Sequence, residues 1–134
     1  MKYEKIVENS KDGEFDYYTQ FMKSMDRLII EVYSNADKHG FYEEAETTPK
    51  HSFLAERLCL IHSEVSEALE SVRNSSQLAP CNKPVPINQM EEELADIIIR
   101  CMDLAGYMNL NLPRAIILKH VYNKQRIYKH GKVS

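Results

Sequence analysis

Residues 53–73 read FLAERLCLIHSEVSEALESVR, and the apolar positions within them decide the kind of fold. Leu54, Leu58, Ile61, Val65, Ala68 or Leu69, and Val72 recur every three or four residues, the period of one helix face. Thr48-Pro49 offers a cap followed by proline in the first turn, so this helix should start at about Pro49 or Phe53 and end near Arg73. Upstream, Tyr18, Met22, Met25, Ile29, Val32 and Ala36 keep the same period and give a helix from about Phe15 to Asp37. His39-Gly40 ends it, because glycine tolerates the left-handed geometry that follows a helix. Downstream, Asn88 stands three residues before Glu91 in a capping-box arrangement, and Met90, Leu94, Ile97 or Ile98, Cys101 and Leu104 or Ala105 carry a third helix to about Met108. Asn111 and Pro113 start a fourth, expected to reach about Lys129 with Gly131 closing it.

Between Asn74 and Pro86 lie three prolines, two serines and two asparagines, a composition that cannot hold a regular ladder and marks the main loop. No segment alternates as a strand, and no repeat of solenoid period is present. Four helices joined by short loops predict one all-α antiparallel bundle over residues 1–134, with 1–12 as a flexible or loosely packed segment. Ile97-Ile98-Ile99 and Ile116-Ile117-Leu118 put apolar side chains on more than one face of their helices. A small bundle does not cover that much surface, so a homo-oligomer is expected.

The chain's 134 residues are 43% hydrophobic and 28% charged, which excludes a collagen, a membrane bundle and a wholly disordered chain. The amino terminus lacks the apolar core of a signal peptide, and no stretch has the roughly 20 apolar residues that span a bilayer. Three cysteines, at 59, 81 and 101, form no CxxC pair, so a reducing, cytoplasmic setting fits and a disulfide framework does not. The net charge of −3 hides a polarity. Residues 104–134 carry six Lys or Arg and no acid, while the first 103 residues hold eleven basic and twenty acidic side chains. A basic end of this kind suits a phosphorylated ligand or the acidic part of its own fold. Six cations without a recognition helix or stacking sheet argue against nucleic acid.

Two acidic pairs carry the chemistry: Glu64 with Glu67 on the second helix, and Glu93 with Asp96 on the third. Residues three apart project from one face about a turn apart. Each pair also flanks its helix's apolar stripe on the same side, at about 80° and 140° from Leu54 and about 100° and 160° from Leu94. If these helices pack antiparallel, four carboxylates converge along one seam. Two unit charges about 4 Å apart repel by about 4 kcal/mol at an effective dielectric near 20, so a cation must lie between them. All-oxygen donors with no ExxH pair favour Mg²⁺, or Mn²⁺ in its place, over zinc or a di-iron centre, and Mg²⁺ recruits phosphates as further ligands. Glu56, Glu70, Glu91 and Glu92 read as ordinary charged positions, with Glu92 adjoining the site.

On the fourth helix Lys119, Asn123, Arg126 and His130 fall within about 60° of arc. A point charge, an amide, a guanidinium fork and an imidazole on one face suit a polyphosphate. Lys129 and Lys132 complement the helix dipole. Arg100, one turn beyond Asp96, points toward the carboxylate seam, to pair with an acid or meet a phosphate. A nucleobase needs aromatic walls, for which Phe41, Tyr42 and His51 are candidates, while Tyr18 and Tyr33 read as core.

Glu64-Val65-Ser66-Glu67-Ala68, then Glu92-Glu93-Leu94-Ala95-Asp96, then Leu112-Pro113 with Lys119, Asn123 and Arg126, together resemble the MazG-like nucleoside triphosphate pyrophosphohydrolases, an all-α superfamily with dimeric dUTPases and dCTP pyrophosphatases. The likeness runs from about Asp37 to Lys132, including His130-Gly131-Lys132. It implies Mg²⁺ held by Glu64, Glu67, Glu93 and Asp96, with Lys119, Asn123 and Arg126 near the triphosphate. It implies hydrolysis of a (deoxy)nucleoside triphosphate to monophosphate and pyrophosphate, in a homodimer or homotetramer with sites near subunit contacts. Arg100 stands where some relatives carry an aromatic residue, which leaves base preference open. Phosphoribosyl-ATP as substrate and a non-catalytic helical interaction module are the alternative readings.

Overall fold

The computed structural model describes residues 13–126, with side chains from Asp16 onward. The expected amino-terminal segment 1–12, His130 and Gly131 lie outside the described residues. Four helices follow in order: α1 Gly13–Lys38, α2 Lys50–Arg73, α3 Gln89–Met108 and α4 Leu112–Lys124. No strand occurs among the described residues, where one isolated antiparallel bridge joins Pro80 to Asn88. No helix there is long and apolar enough to cross a membrane.

The helix ends follow local chemistry. Gly40, at φ +85°, turns the chain after α1. Pro49 itself occupies the cap position of α2 and makes no side-chain cap bond, so the cap expected from Thr48 is absent. The α3 capping box is formed: Asn88 Oδ1 accepts from the Glu91 amide at 2.8 Å and Glu91 Oε2 accepts from the Asn88 amide at 2.9 Å. Left-handed Asn109 closes that helix at φ 54°. Asn111 Oδ1 accepts from the Arg114 amide at 3.3 Å and Pro113 sits in the first turn, where its missing N–H is no loss. The α4 helix stops at Lys124, short of the expected Lys129, as the Gln125 amide closes onto the Asn123 and Tyr122 carbonyls.

Helix α3 packs against both α1 and α2, while α4 packs against α1. Phe53 near the start of α2 meets Tyr107 near the end of α3 at 5.3 Å between ring centroids, which makes α2 and α3 antiparallel. One core cluster joins Tyr18 of α1 to Ile117 and Val121 of α4. The other is aromatic, with Ala36, Tyr42 and Phe53 buried and Tyr33 and Tyr107 packed on them. Tyr42 stacks on Tyr107 at 4.9 Å and 26°. Tyr42 is therefore core, and its exposed counterpart in the α1–α2 loop is its neighbour Phe41. Position 42 differs from the sequence expectation because the loop folds back onto α2 and α3, held where Arg57 donates to the Phe41 carbonyl at 2.7 Å.

Leu54 packs on this core, but most of the apolar stripe of α2 does not face it. The helix buries Phe53, Glu64, Ala68 and Ser71, whereas Leu58, Val65, Leu69 and Val72 remain 48–52% exposed. Ala68 and Ser71 are buried on the same side as Glu64, which meets Arg100 of α3 there, so the mixed face turns inward and the apolar one stays out. On α3, Leu94 and Ile98 are likewise about half exposed, at 51% and 55%.

Helices α1 and α3 approach closely at Gly106, where a Cβ would lie 2.7 Å from Tyr33 Cβ and 3.4 Å from Ile29 Cγ2. Alanine gains up to about 1 kcal/mol in helix propensity, but overpacking costs about 1–3 kcal/mol. Gly106→Ala should therefore lower stability by on the order of 1 kcal/mol in urea denaturation, and a stabilised variant would contradict this packing.

Candidate functional site

The site lies at the seam where α2 crosses α3. Glu64 is the buried residue of its turn, with 6% exposure. Its Oε1 accepts a hydrogen bond from Arg100 Nε at 2.5 Å. Glu67, one turn on, and Glu93 of α3 each bring a carboxylate oxygen to the same place, and the three oxygens lie within 4.8 Å of one another. Asp96 is not one of this group. It is half-buried one turn beyond Glu93 and lines the cavity beside it.

The electrostatics match the crowding. Burial pushes the Glu64 carboxyl up, but hydrogen bonds from Arg100 and Glu67 and the Arg100 charge outweigh it and hold the group below the ordinary glutamate range. Glu93 shifts the other way. Burial, then the charge of Glu67 and proton sharing with Glu67 and Glu64, raise it to about 7. Its Oε2 is buried with no hydrogen-bond donor. A buried carboxylate oxygen without a donor is costly unless a proton or a metal ion satisfies it. Three carboxylates, one of them carrying an oxygen without a donor, fit a hard divalent cation such as Mg²⁺ or Mn²⁺.

A cavity of about 530 Å³ opens against this group, lined from α1 by Leu28, Glu31, Val32, Asn35 and Ala36, by His39 just after it, and from α3 by Asp96, Ile99, Arg100 and Asp103. Phe41 and Glu64 complete the wall, so Glu64 belongs both to the carboxylate group and to the cavity. The Arg100 guanidinium lies over the Phe41 ring at 5.8 Å, which joins the two predicted residues. Asp103 accepts a short hydrogen bond from the Tyr42 hydroxyl. Burial raises the Asp103 carboxyl, against opposing contributions from Tyr42, Arg100 and Arg57.

Other expected residues are elsewhere. Tyr42 stands behind the cavity and not on its wall, and His51 is exposed at the start of α2 and also lines no part of it. Lys119 and Asn123 lie on α4, which packs on α1, Arg126 lies just past its end, and none of the three lines the cavity. Lys119 and Arg126 flank the Tyr122 ring at 4.5 and 5.7 Å. Glu92 corrects the surface reading: it is 7% exposed and ion-paired with Lys83 of the main loop. That loop is more ordered than its composition suggests, with the Cys81 amide donating to Ile87 O at 3.0 Å and the Met90 amide to Gln77 O at 2.9 Å.

Sequence reasoning missed Glu31, Asn35 and Asp103. Glu31 and Asn35 are one turn apart on the face of α1 that also carries Leu28 and Val32, a signal visible only once that face is known to border a cavity. No protein-family model, no curated protein and no solved structure matches the chain.

Because the folded-state Glu93 carboxyl is raised from 4.5 to about 7, it stabilises the fold fully below pH about 4.5. That contribution is lost as pH rises through about 7. In metal-free buffer the melting temperature should fall across this window, and Glu93→Gln should flatten the fall. An identical slope in wild type and variant would sink the assignment.

Proposed function

We propose that the chain is a Mg²⁺-dependent nucleoside triphosphate pyrophosphohydrolase, converting a (deoxy)nucleoside triphosphate to the monophosphate and pyrophosphate. The observation that carries this reading is the meeting of Glu64, Glu67 and Glu93 oxygens within 4.8 Å at the edge of a cavity whose wall includes Glu64 itself. A phosphate tail drawn to that acidic group leaves the nucleoside next to the cavity. Its volume of about 530 Å³ falls in the usual range for small-molecule sites. The resemblance of the acidic motifs to MazG-like enzymes supports the same chemistry.

In this reading Glu64, Glu67 and Glu93 hold the ion, with Asp96 as the fourth acidic group of the site and Mn²⁺ able to substitute. Bound there, Mg²⁺ supplies charge neutralisation for the triphosphate and lowers the pKa of water. Glu67, the exposed member of the trio, or another of the cluster takes the proton of the water that attacks the α-phosphorus, and pyrophosphate leaves. Arg100 keeps Glu64 ionised and oriented through its 2.5 Å hydrogen bond.

The same reading assembles the chain as a cytoplasmic homodimer or homotetramer. Leu58, Val65, Leu69 and Val72 form a half-exposed apolar stripe along α2, and a second copy is its natural cover. Across such a contact, Lys119, Asn123 and Arg126 of one subunit serve the triphosphate bound by another, since they do not line the cavity of their own.

Metal stabilisation supplies several kcal/mol and each 1.36 kcal/mol is tenfold in rate. Glu67→Gln and Asp96→Asn should therefore each cut pyrophosphate release by at least about 100-fold while helical circular dichroism is unchanged. Full turnover in both variants would refute the assignment. For the assembly, Val65→Glu combined with Leu69→Glu should yield monomers in light scattering at concentrations where the wild type is oligomeric. A mass that does not move would show that this stripe is not the contact.

A further inference from the structure

We propose that the cavity selects a base carrying an exocyclic amino group, cytosine, adenine or guanine, over uracil and thymine, and that Asp103 is the residue that makes the distinction. The proposal rests on the hydrolase reading above and names the substrate class of that same site.

Among the described residues, acceptors outnumber donors on the wall. Glu31, Glu64, Asp96 and Asp103 contribute carboxylates, and Asn35 an amide that both donates and accepts. His39 Nδ1 lies 2.7 Å from the Asn35 carbonyl oxygen. A carbonyl oxygen only accepts, so Nδ1 carries a hydrogen. Arg100 is the only Lys or Arg on the wall among the described residues. Its Nε is engaged by Glu64, and its guanidinium lies over Phe41.

Asp103 is the best placed of the carboxylates to read a base. Its Oδ1 is held by the hydroxyl of Tyr42, a residue that is buried in the aromatic core and does not line the cavity. The carboxyl is thus fixed from outside the pocket while it forms part of the wall. It shares an α3 face with Arg100 and Asp96, at i−3 and i−7, and Asp96 adjoins the acidic group. A base extending from phosphates at that group therefore runs along the face that ends at Asp103.

Amino groups of cytosine, adenine and guanine donate to such a carboxylate in a charge-assisted hydrogen bond. Uracil and thymine present one ring N–H flanked by two carbonyl oxygens. At Asp103 those oxygens would face a carboxylate that cannot donate to them. A site built to bond a donor rejects analogues that lack it far more strongly than an apolar pocket rejects a change of size. Discrimination by one well-placed pair is on the order of 10- to 100-fold.

The test is pyrophosphate release by the intact chain in Mg²⁺ with dCTP, dATP, dGTP, dUTP and dTTP. The best amino-bearing nucleotide should exceed dUTP and dTTP in kcat/KM by at least about tenfold. Asp103→Asn presents an amide donor in place of one carboxylate oxygen and should shrink that ratio by about tenfold, with circular dichroism confirming the fold. Equal or faster turnover of dUTP or dTTP by the wild type overturns the selectivity while leaving the hydrolase reading intact. A folded Asp103→Asn with the wild-type ratio overturns the role of Asp103. Should that variant fail to fold, the wild-type panel still decides the selectivity. Absence of pyrophosphate from every nucleotide removes the hydrolase reading, and the inference falls with it.

Discussion

A carboxylate taken out of water must find positive charge or hydrogen-bond donors, and the burial of Glu64 between α2 and α3 imposes that demand on everything around it. Arg100 meets it from the facing helix at 2.5 Å. The pairing sets the rotation of both helices about their axes. With Glu64 turned inward, Glu67 follows one turn along α2 and Glu93 approaches from α3. One guanidinium cannot neutralise three acids, so Glu93 responds by holding its proton up to about pH 7. The seam is left with an oxygen that has no donor, and the same crowding that weakens the isolated fold makes it receptive to a cation.

That rotation also determines what is left outside. Because α2 turns Phe53, Glu64, Ala68 and Ser71 inward, its strongest apolar stripe is displaced by roughly a quarter to a third of a turn from that buried face. The core of the described chain is accordingly divided, with an aromatic group around Tyr42, Phe53 and Tyr107 and a smaller one between α1 and α4. A regular apolar face left on the surface and an acid buried in exchange are the two features on which the proposal of an oligomeric metal-dependent enzyme rests.

The cavity depends on the aromatic group as much as on the acids. Arg57 lies over the Phe53 ring at 4.8 Å and donates to the Phe41 carbonyl, which holds the loop after α1 against α2. Phe41 is thereby presented to Arg100, and Tyr42 to Asp103. The residues nearest the proposed chemistry and those nearest the proposed base are in this way tied to one packed cluster, so motion of that loop would be felt at both ends of the site.

Helix identity and most helix boundaries were legible from local rules, because caps and breakers act within a turn: Asn88 with Glu91, Gly40, Asn111 with Pro113. The acidic pairs were legible for the same reason, since a spacing of three residues guarantees a shared face. Which face turns inward was not. Periodicity marks an apolar stripe but says nothing of whether its partner is in the same chain, and on α2 the partner within the chain is the stripe's polar neighbour. Tyr42 against Phe41, Asp96 against Glu93, and the contribution of Glu31, Asn35 and Asp103 to the wall were decided only by tertiary packing. Their positions depend on how whole helices are rotated and on how a loop folds back. Those choices are made by the summed burial of many side chains and by the need of one buried carboxylate for its arginine, and neither quantity exists until distant segments meet.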